Sequence, residues 1–405
     1  MKKMTLARAI PALAAGLTLS LTAQELGPPP LASEADFVPV PPRPSTKAVS
    51  VSPTDRTAVV RFFQTTYRAS DGVAAGWDGA RSNCDAGSTS QAYADATILR
   101  VNYFRAMVGL PGDVVLSNAW NLKAQEAALM MSAEGALDHT PDTSWTCYTA
   151  QGAEAAGKSN LALGADAARA IDLYMDDHGA GNTAVGHRRW ILYPPIKIMG
   201  AGNIPGDGGW AANDLWVIGG AGSRPAQPEW VAWPPKGYLP YQNLPRSSRR
   251  WSFSYRNAIF TSATVFMQHA GTNIPVILED QKTGYGDNTI VWVPQGVPTG
   301  APASDLTYTV TVSNVVVSSQ ARVFTYDVTI IDPDVPALTQ QLQPNGTVRL
   351  SWPNTSTGYT LQRNATPANP AGWTAVSPAP SVVGGEYVVT VTAPSTQQFF
   401  RLRRP

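Results

Sequence analysis

The chain has 405 residues, more than one compact core usually supports, so it reads as several domains. Its 34 Gly and 34 Pro beside only 15% charged residues point to many turns and exclude coiled coils. With 30 Lys plus Arg against 29 Asp plus Glu, the formal charge of +1 supplies no field for holding a phosphate backbone, and nucleic acid is excluded as a partner.

Residues 1–23 read as a secretory signal, with Met1-Lys2-Lys3, an apolar run from Ala9 to Leu21, and the small residue Ala23 before the expected cut. The run is too short for a membrane span, and no cysteine follows it for lipid attachment. The mature chain is expected to be secreted, extracellular or in the cell envelope, with no transmembrane segment. Residues 24–51 contain GPPP and PVPPRP and read as an extended, mobile Pro-rich linker. Cys84 and Cys147 are the only cysteines. In an exported chain they most simply pair, two separate buried thiols being the alternative. Closing the long loop between them would contribute on the order of 3 to 4 kcal/mol.

Ser52-Pro53-Thr54-Asp55 is a helix-start signal, followed by Val59, Val60, Phe62, Phe63 and Tyr67 along one helical face. The spacing of Ala94, Ile98, Val101, Phe104 and Val108 predicts a helix over 91–108. A second is predicted over 116–135, ended by Gly135, and a third over 164–177. Trp190–Leu192, Lys197–Ile204 and Asp214–Ile218 read as short strands. Helices around a small sheet make residues 52–225 an α/β layered domain.

From Trp230 the helical period disappears. Alternating or β-branched runs at 251–255, 263–268, 275–279, 289–293, 308–314 and 323–331 predict an antiparallel sandwich over 226–334. Trp230, Trp233 and Tyr238 are expected to seal its junction with the first domain. Residues 335–405 repeat the theme as a second, smaller sandwich, its motifs VRLSWP, GYTLQR and GWTAV resembling fibronectin type III-like modules. Trp352, Tyr359, Trp373 and Tyr387 read as its core, with an aromatic sugar platform as the alternative. Arg401, Arg403 and Arg404 read as a solvated end.

Four histidines occur, at 139, 178, 187 and 269. The ordered signals Leu99-Arg-Val-Asn102-Tyr-Phe-Arg105, Leu137-Asp-His139, Gly157-Lys-Ser-Asn160, Gly186-His187-Arg-Arg-Trp190 and Met199-Gly-Ala-Gly202 resemble the CAP superfamily (cysteine-rich secretory, antigen 5 and pathogenesis-related-1 proteins) in its bacterial SCP-like form. The resemblance implies an α-β-α sandwich with a surface cleft in which two histidines and two acids converge. His139 and His187 match the histidines. Asp177 is the best match for one acid, with Asp176 one residue off. Ser159 stands where the other acid, a glutamate, is expected. Glu154 lies close enough in sequence to compensate.

Two imidazoles and a carboxylate can hold Zn²⁺ with an open position, which makes His139, His187 and Asp177 a candidate metal set. Hydrolysis would also need a general base beside the metal-bound water, from Glu154 or Asp176. Without metal, the histidines could act as general acid or base. No G-x-S-x-G or HExxH motif is present. A structural role for His139 and His187, each satisfied by a carboxylate, is the alternative. His178 reads as a solvated loop residue or a third ligand, and His269 as a strand-end surface residue. Asn102 and Arg105 are expected to brace the first long helix against the sheet.

The fold class is therefore multidomain, a CAP-like α-β-α sandwich followed by two all-β immunoglobulin/fibronectin-like sandwiches. The expected function is non-catalytic extracellular binding, the cleft holding a divalent metal or a small apolar ligand, with lipid, peptide and glycan all open as partners. A metal-dependent hydrolase of peptide or cell-wall polymer, and adhesion through the sandwiches, are the alternatives.

Overall fold

The computed structural model describes residues 24–39, 48–354, 358–393 and 396–403; the expected signal segment, residues 1–23, and Arg404 lie outside the described residues. In chain order the first part comprises β1 (Glu25–Leu26), β2 (Val38–Pro39), α1 (Arg56–Phe62), α2 (Gln91–Met107), β3 (Val115–Leu116), α3 (Asn118–Glu134), α4 (Ala150–Ala156), β4 (Ser159–Leu163), α5 (Ala167–Asp176), α6 (Gly186–Ile191), β5 (Ile198–Ile204), β6 (Ala212–Trp216) and β7 (Gly220–Ala221). One sheet runs in the order β1-β4-β6-β5-β3. It is antiparallel except where β3 pairs parallel with β5. Helices α3 and α4 pack on one side and α2, α5 and α6 on the other, giving the expected α-β-α layering.

Local chemistry sets these elements. Asp55 caps α1, its carboxylate accepting from Ala58 N at 3.1 Å. Ser90 caps α2 through Tyr93 N, and Gly135 ends α3 at a φ of +72°, which favours glycine. On β5, a Cβ at Gly202 would stand 2.0 Å from Ala124 O, so only glycine lets α3 lie this close to the sheet. Cys84 and Cys147 form a disulfide, joining the loop before α2 to the loop before α4.

Trp190 and Ile191, read above as the start of a strand, belong to helix α6, all of whose residues are buried. A short apolar run fits a buried strand or a buried helix equally, and tertiary packing decides between them. Here the guanidinium groups decide. Arg188 donates to the main-chain oxygens of Met175, Asp176 and Arg250, and Arg189 to those of Ala184, Lys282 and Asp287. Arg105 fixes the following turn by donating to the oxygens of Ile191, Tyr193, Pro194 and Ile196. Burial pushes all three guanidinium groups down to about 10. Asn102 braces α2 as expected, donating to Val114 O at 2.9 Å and accepting from Val114 N at 3.0 Å.

The second part comprises β8 (Val231–Trp233), β9 (Gly237–Pro240), β10 (Trp251–Tyr255), β11 (Thr264–His269), β12 (Thr272–Ile274), β13 (Val276–Leu278), β14 (Asn288–Pro294), β15 (Leu306–Val317) and β16 (Gln320–Ile331). Two sheets result, β13-β14-β10-β8 and β12-β11-β15-β16-β9. One apolar cluster runs from α2 and α5 into both of them, including Phe104, Ile171, Trp233, Phe253 and Val310. Trp233 meets Phe104 edge-on at 5.3 Å and so joins the two parts as expected. Trp230 packs on Phe253 and Tyr326, each at 5.1 Å, inside the sandwich, and lines a pocket with Pro53 and Met107 of the first part. His269 sits on β11 with Nδ1 2.8 Å from Thr307 O.

The last part holds β17 (Thr339–Leu342), β18 (Thr347–Pro353), β19 (Thr360–Asn364), β20 (Thr374–Ala375), β21 (Ser381–Val383), β22 (Glu386–Thr392) and β23 (Phe399–Arg403), in sheets β17-β18-β22-β21 and β20-β19-β23. Its own core contains Val348, Leu350, Trp352, Leu361 and Val389. Tyr387 packs on Trp352 at 5.6 Å, whereas Trp373 is half-buried with the Arg401 guanidinium 4.1 Å from its ring centre. Among the described residues no helix is long and apolar enough to cross a membrane.

Candidate functional site

The site is built where the end of α5, the loop 177–185 and α6 meet the edge of β4. Asp177 ends α5 at a φ of +55° and is fully buried, as is His187 on α6. His187 Nδ1 lies 2.8 Å from Asp177 Oδ1, and Arg188 N donates to Asp177 Oδ2 at 3.1 Å. The imidazole lies nearly parallel to Tyr174, with centroids 5.5 Å apart. Because Nδ1 faces a carboxylate it carries the hydrogen, and a neutral ring keeps its lone pair on Nε2. Among the described residues that buried Nε2 has no hydrogen-bond partner.

His139, just past α3, is half-buried, and both of its ring nitrogens are committed to main-chain oxygens: Nδ1 to Ala156 O at 2.5 Å, and Nε2 to Pro28 O. His178 turns Nε2 to Gln24 O at 3.3 Å. Trp190 Nε1 donates to Pro30 O at 2.7 Å. These contacts share one feature: His139, His178 and Trp190 each meet a carbonyl oxygen of the stretch Gln24–Pro30.

That stretch was read above as free linker. Instead β1 pairs antiparallel with β4, Glu25 opposite Leu163 and Leu26 opposite Ala162. Pro29 and Pro30 are buried, and Ala32 N donates to Gly284 O at 3.0 Å. Phe37 packs on Trp190 at 5.6 Å and on Tyr193 at 5.1 Å. A Cβ at Gly186 would come within 2.4 Å of Pro29 Cγ. The physical reason lies in the prolines. They have no N–H, so burying them leaves only carbonyls to satisfy. Composition alone cannot tell such a segment from a solvated one, although GPPP close to an exposed-edge strand is the signal that could have raised the question.

The remaining candidate acids point elsewhere. Glu154 binds Lys123 at 2.6 Å and Lys158 at 2.9 Å, and these lysines hold its carboxyl below the ordinary value. Asp176 accepts from Ser247 N and Ser248 N of the following sandwich. Ser159 is fully buried and lies 2.6 Å from Asp214 Oδ1. Asp214 was not singled out in the sequence; burial pushes its carboxyl well above the ordinary value. Asn160, the last residue of the Lys-Ser-Asn motif, donates to His187 O at 3.1 Å and so ties β4 to α6.

Among the described residues, no three His, Cys, Asp or Glu side chains converge on a point that could hold a metal ion. As arranged, both His139 nitrogens face main-chain oxygens and each Asp177 oxygen already meets one N–H, while among the described residues His187 Nε2 has no partner.

Residues 98–218, which include His139 and His187, match the family described as CAP, cysteine-rich secretory protein family. No curated protein matches the chain. Among solved structures, a chain described as "Cytokine receptor complex - Crystal form 2" aligns at 15% identity, covering 38% of this chain and 82% of that one, with a TM-score of 0.13. At that score the likeness carries no argument.

Proposed function

On the CAP domain that residues 98–218 form, we propose that this chain is a non-catalytic extracellular binding protein whose ligand site is the cleft of His139, His178 and His187. The observation that carries this reading is the commitment of the acids. Hydrolysis needs a carboxylate free to take a proton from water. Glu154 is engaged by two lysines, Asp176 by two main-chain N–H groups, and Asp177 by His187 and Arg188 N. What the cleft offers instead is ring nitrogens that face main-chain carbonyls and, among the described residues, two buried ring nitrogens without a partner, His187 Nε2 and His178 Nδ1. The disulfide fits an oxidising compartment.

The test is turnover. The full chain, with and without Zn²⁺, is incubated with unstructured peptides and with cell-wall polymer, beside a His139→Ala, His187→Ala double variant matched for folding. No product above the variant's background is expected. Cleavage that the variant loses overturns the reading and favours a metal-dependent hydrolase. A variant indistinguishable from wild type in every binding assay would move function to the sandwiches, as an adhesion role requires.

A divalent metal is the second reading, favoured by the lone pair on His187 Nε2. Calorimetric titration of Zn²⁺ into the full chain tests it. One-to-one heat that His187→Ala abolishes assigns a metal to the cleft, and its absence leaves Nε2 to a hydrogen-bond donor of another ligand.

A further inference from the structure

We propose that the cleft takes an extended, proline-rich peptide, recognised through its main-chain carbonyls, and that residues 24–30 hold this place in cis. The proposal rests on the reading of the cleft as a binding site and names its ligand class.

The cleft is laid out as a ruler for an extended chain. Donors meet the carbonyls of residues 24, 28 and 30, from His178, His139 and Trp190 in turn. Between the first two, Glu25 and Leu26 add a strand to the edge of β4, the main-chain mode by which sheet edges capture peptides. Trp190 Nε1–H is a fixed donor, and His139 and His178 donate from Nε2 in the tautomer that carries the hydrogen there; a polyproline stretch presents only acceptors, so the two chemistries match. Side-chain recognition is concentrated at one seat. Pro29 lies over Gly186, where any Cβ would collide with it. Gly27 lies over Leu137 and Leu161, a Cβ there standing 3.5 Å from Leu137 Cβ. Leu26 is partly buried against the core. Few contacts depend on the identity of the other side chains, so a separate peptide carrying Gly-Pro-Pro-Pro in extended form would make the same bonds. The tethered copy competes at the millimolar effective concentration of a short linker, which predicts weak binding of a free peptide to the intact chain.

The experiment is fluorescence anisotropy with a labelled peptide of sequence QELGPPPL and a control with QELGAAAL. Both are titrated with the full chain, with a chain beginning at Ala32, and with a full-length Leu26→Asp chain in which the strand pairing is loosened but the tether kept. Folding of each is checked by near-ultraviolet circular dichroism. Saturable binding of the proline peptide to the shortened or loosened chain is expected, at least tenfold tighter than to the full chain, lost with the alanine control and lost when Gly186→Val fills the Pro29 seat. A folded shortened or loosened chain that binds neither peptide, or both alike, overturns the proposal. Failure here is separable from failure of the broader reading: hydrolytic turnover removes the non-catalytic reading, whereas absent peptide binding removes only this ligand class.

Discussion

Asp177 and Asp214 are both fully buried, on opposite faces of the same sheet, and the protein handles them in opposite ways. Asp214 is adjacent to Asn213, which bonds Tyr174 of α5 at 2.7 Å, so strand alternation turns Asp214 to the α4 side. Asp177 receives an imidazole N–H and a main-chain N–H. Among the described residues Asp214 bonds Ser159 through Oδ1, and its Oδ2 has no partner. The Ser159 hydroxyl lies 2.7 Å from Ala155 O and 2.6 Å from Asp214 Oδ1, and it has a single hydrogen. A carbonyl can only accept, so both contacts are satisfied when Asp214 is protonated and donates to Ser159. This agrees with burial holding its carboxyl well above the ordinary value. The contrast teaches that a raised carboxyl can belong to the scaffold: Asp214 is left with few donors and burial raises it, while Asp177 is met by two N–H groups.

Three substitutions can break or sharpen this contrast. Asp177→Ala should have the largest effect, destabilising by about 3 to 5 kcal/mol in urea unfolding, because it strips the acceptor from a buried histidine and from Arg188 N. Ser159→Ala should cost about 1 to 3 kcal/mol by leaving buried Asp214 without its partner, while Ala155 O keeps Lys158 N. Asp214→Asn should be the mildest, within about 1 kcal/mol of wild type near pH 4, since an amide N–H can replace the acid's hydrogen. Its signature is the pH dependence. A carboxyl raised in the folded state gives stability that is fully present below the ordinary Asp value of about 3.9 and is lost as pH rises toward the folded value. Asp214→Asn removes that loss, so the variant's urea midpoint should gain on wild type as pH is raised from about 4 to 7. A pH-independent difference would contradict a neutral Asp214.

Much of this was legible in the sequence because it depends on local period. Helix α2 followed from apolar spacing, and α3 from its Ala, Leu and Met content with its end at Gly135. The strands after Trp230 followed from alternation, Trp251–Tyr255 to the residue. The two histidines and Asp177 were legible only through ordered motifs resembling the CAP superfamily. What escaped has a common physical cause, dependence on residues distant in the chain. Helix α6 is fixed by carbonyls contributed from 175–176, 250 and 282–287. Asp214 matters only because β4 places Ser159 beside it. The Pro-rich stretch is held by donors from residues 139, 178 and 190, and nothing within it distinguishes a seated polyproline segment from a free one.

The central claim, that residues 24–30 lie in the histidine cleft, can be tested by a cysteine pair. A Cβ at Gly27 would stand 3.5 Å from Leu137 Cβ, within the range a disulfide spans. Gly27→Cys with Leu137→Cys in the full chain, oxidised and digested without reduction, should yield the new 27–137 cross-link by mass spectrometry alongside the native Cys84–Cys147 bond. Free thiols at both positions, or a cross-link found only between two copies, would contradict the account.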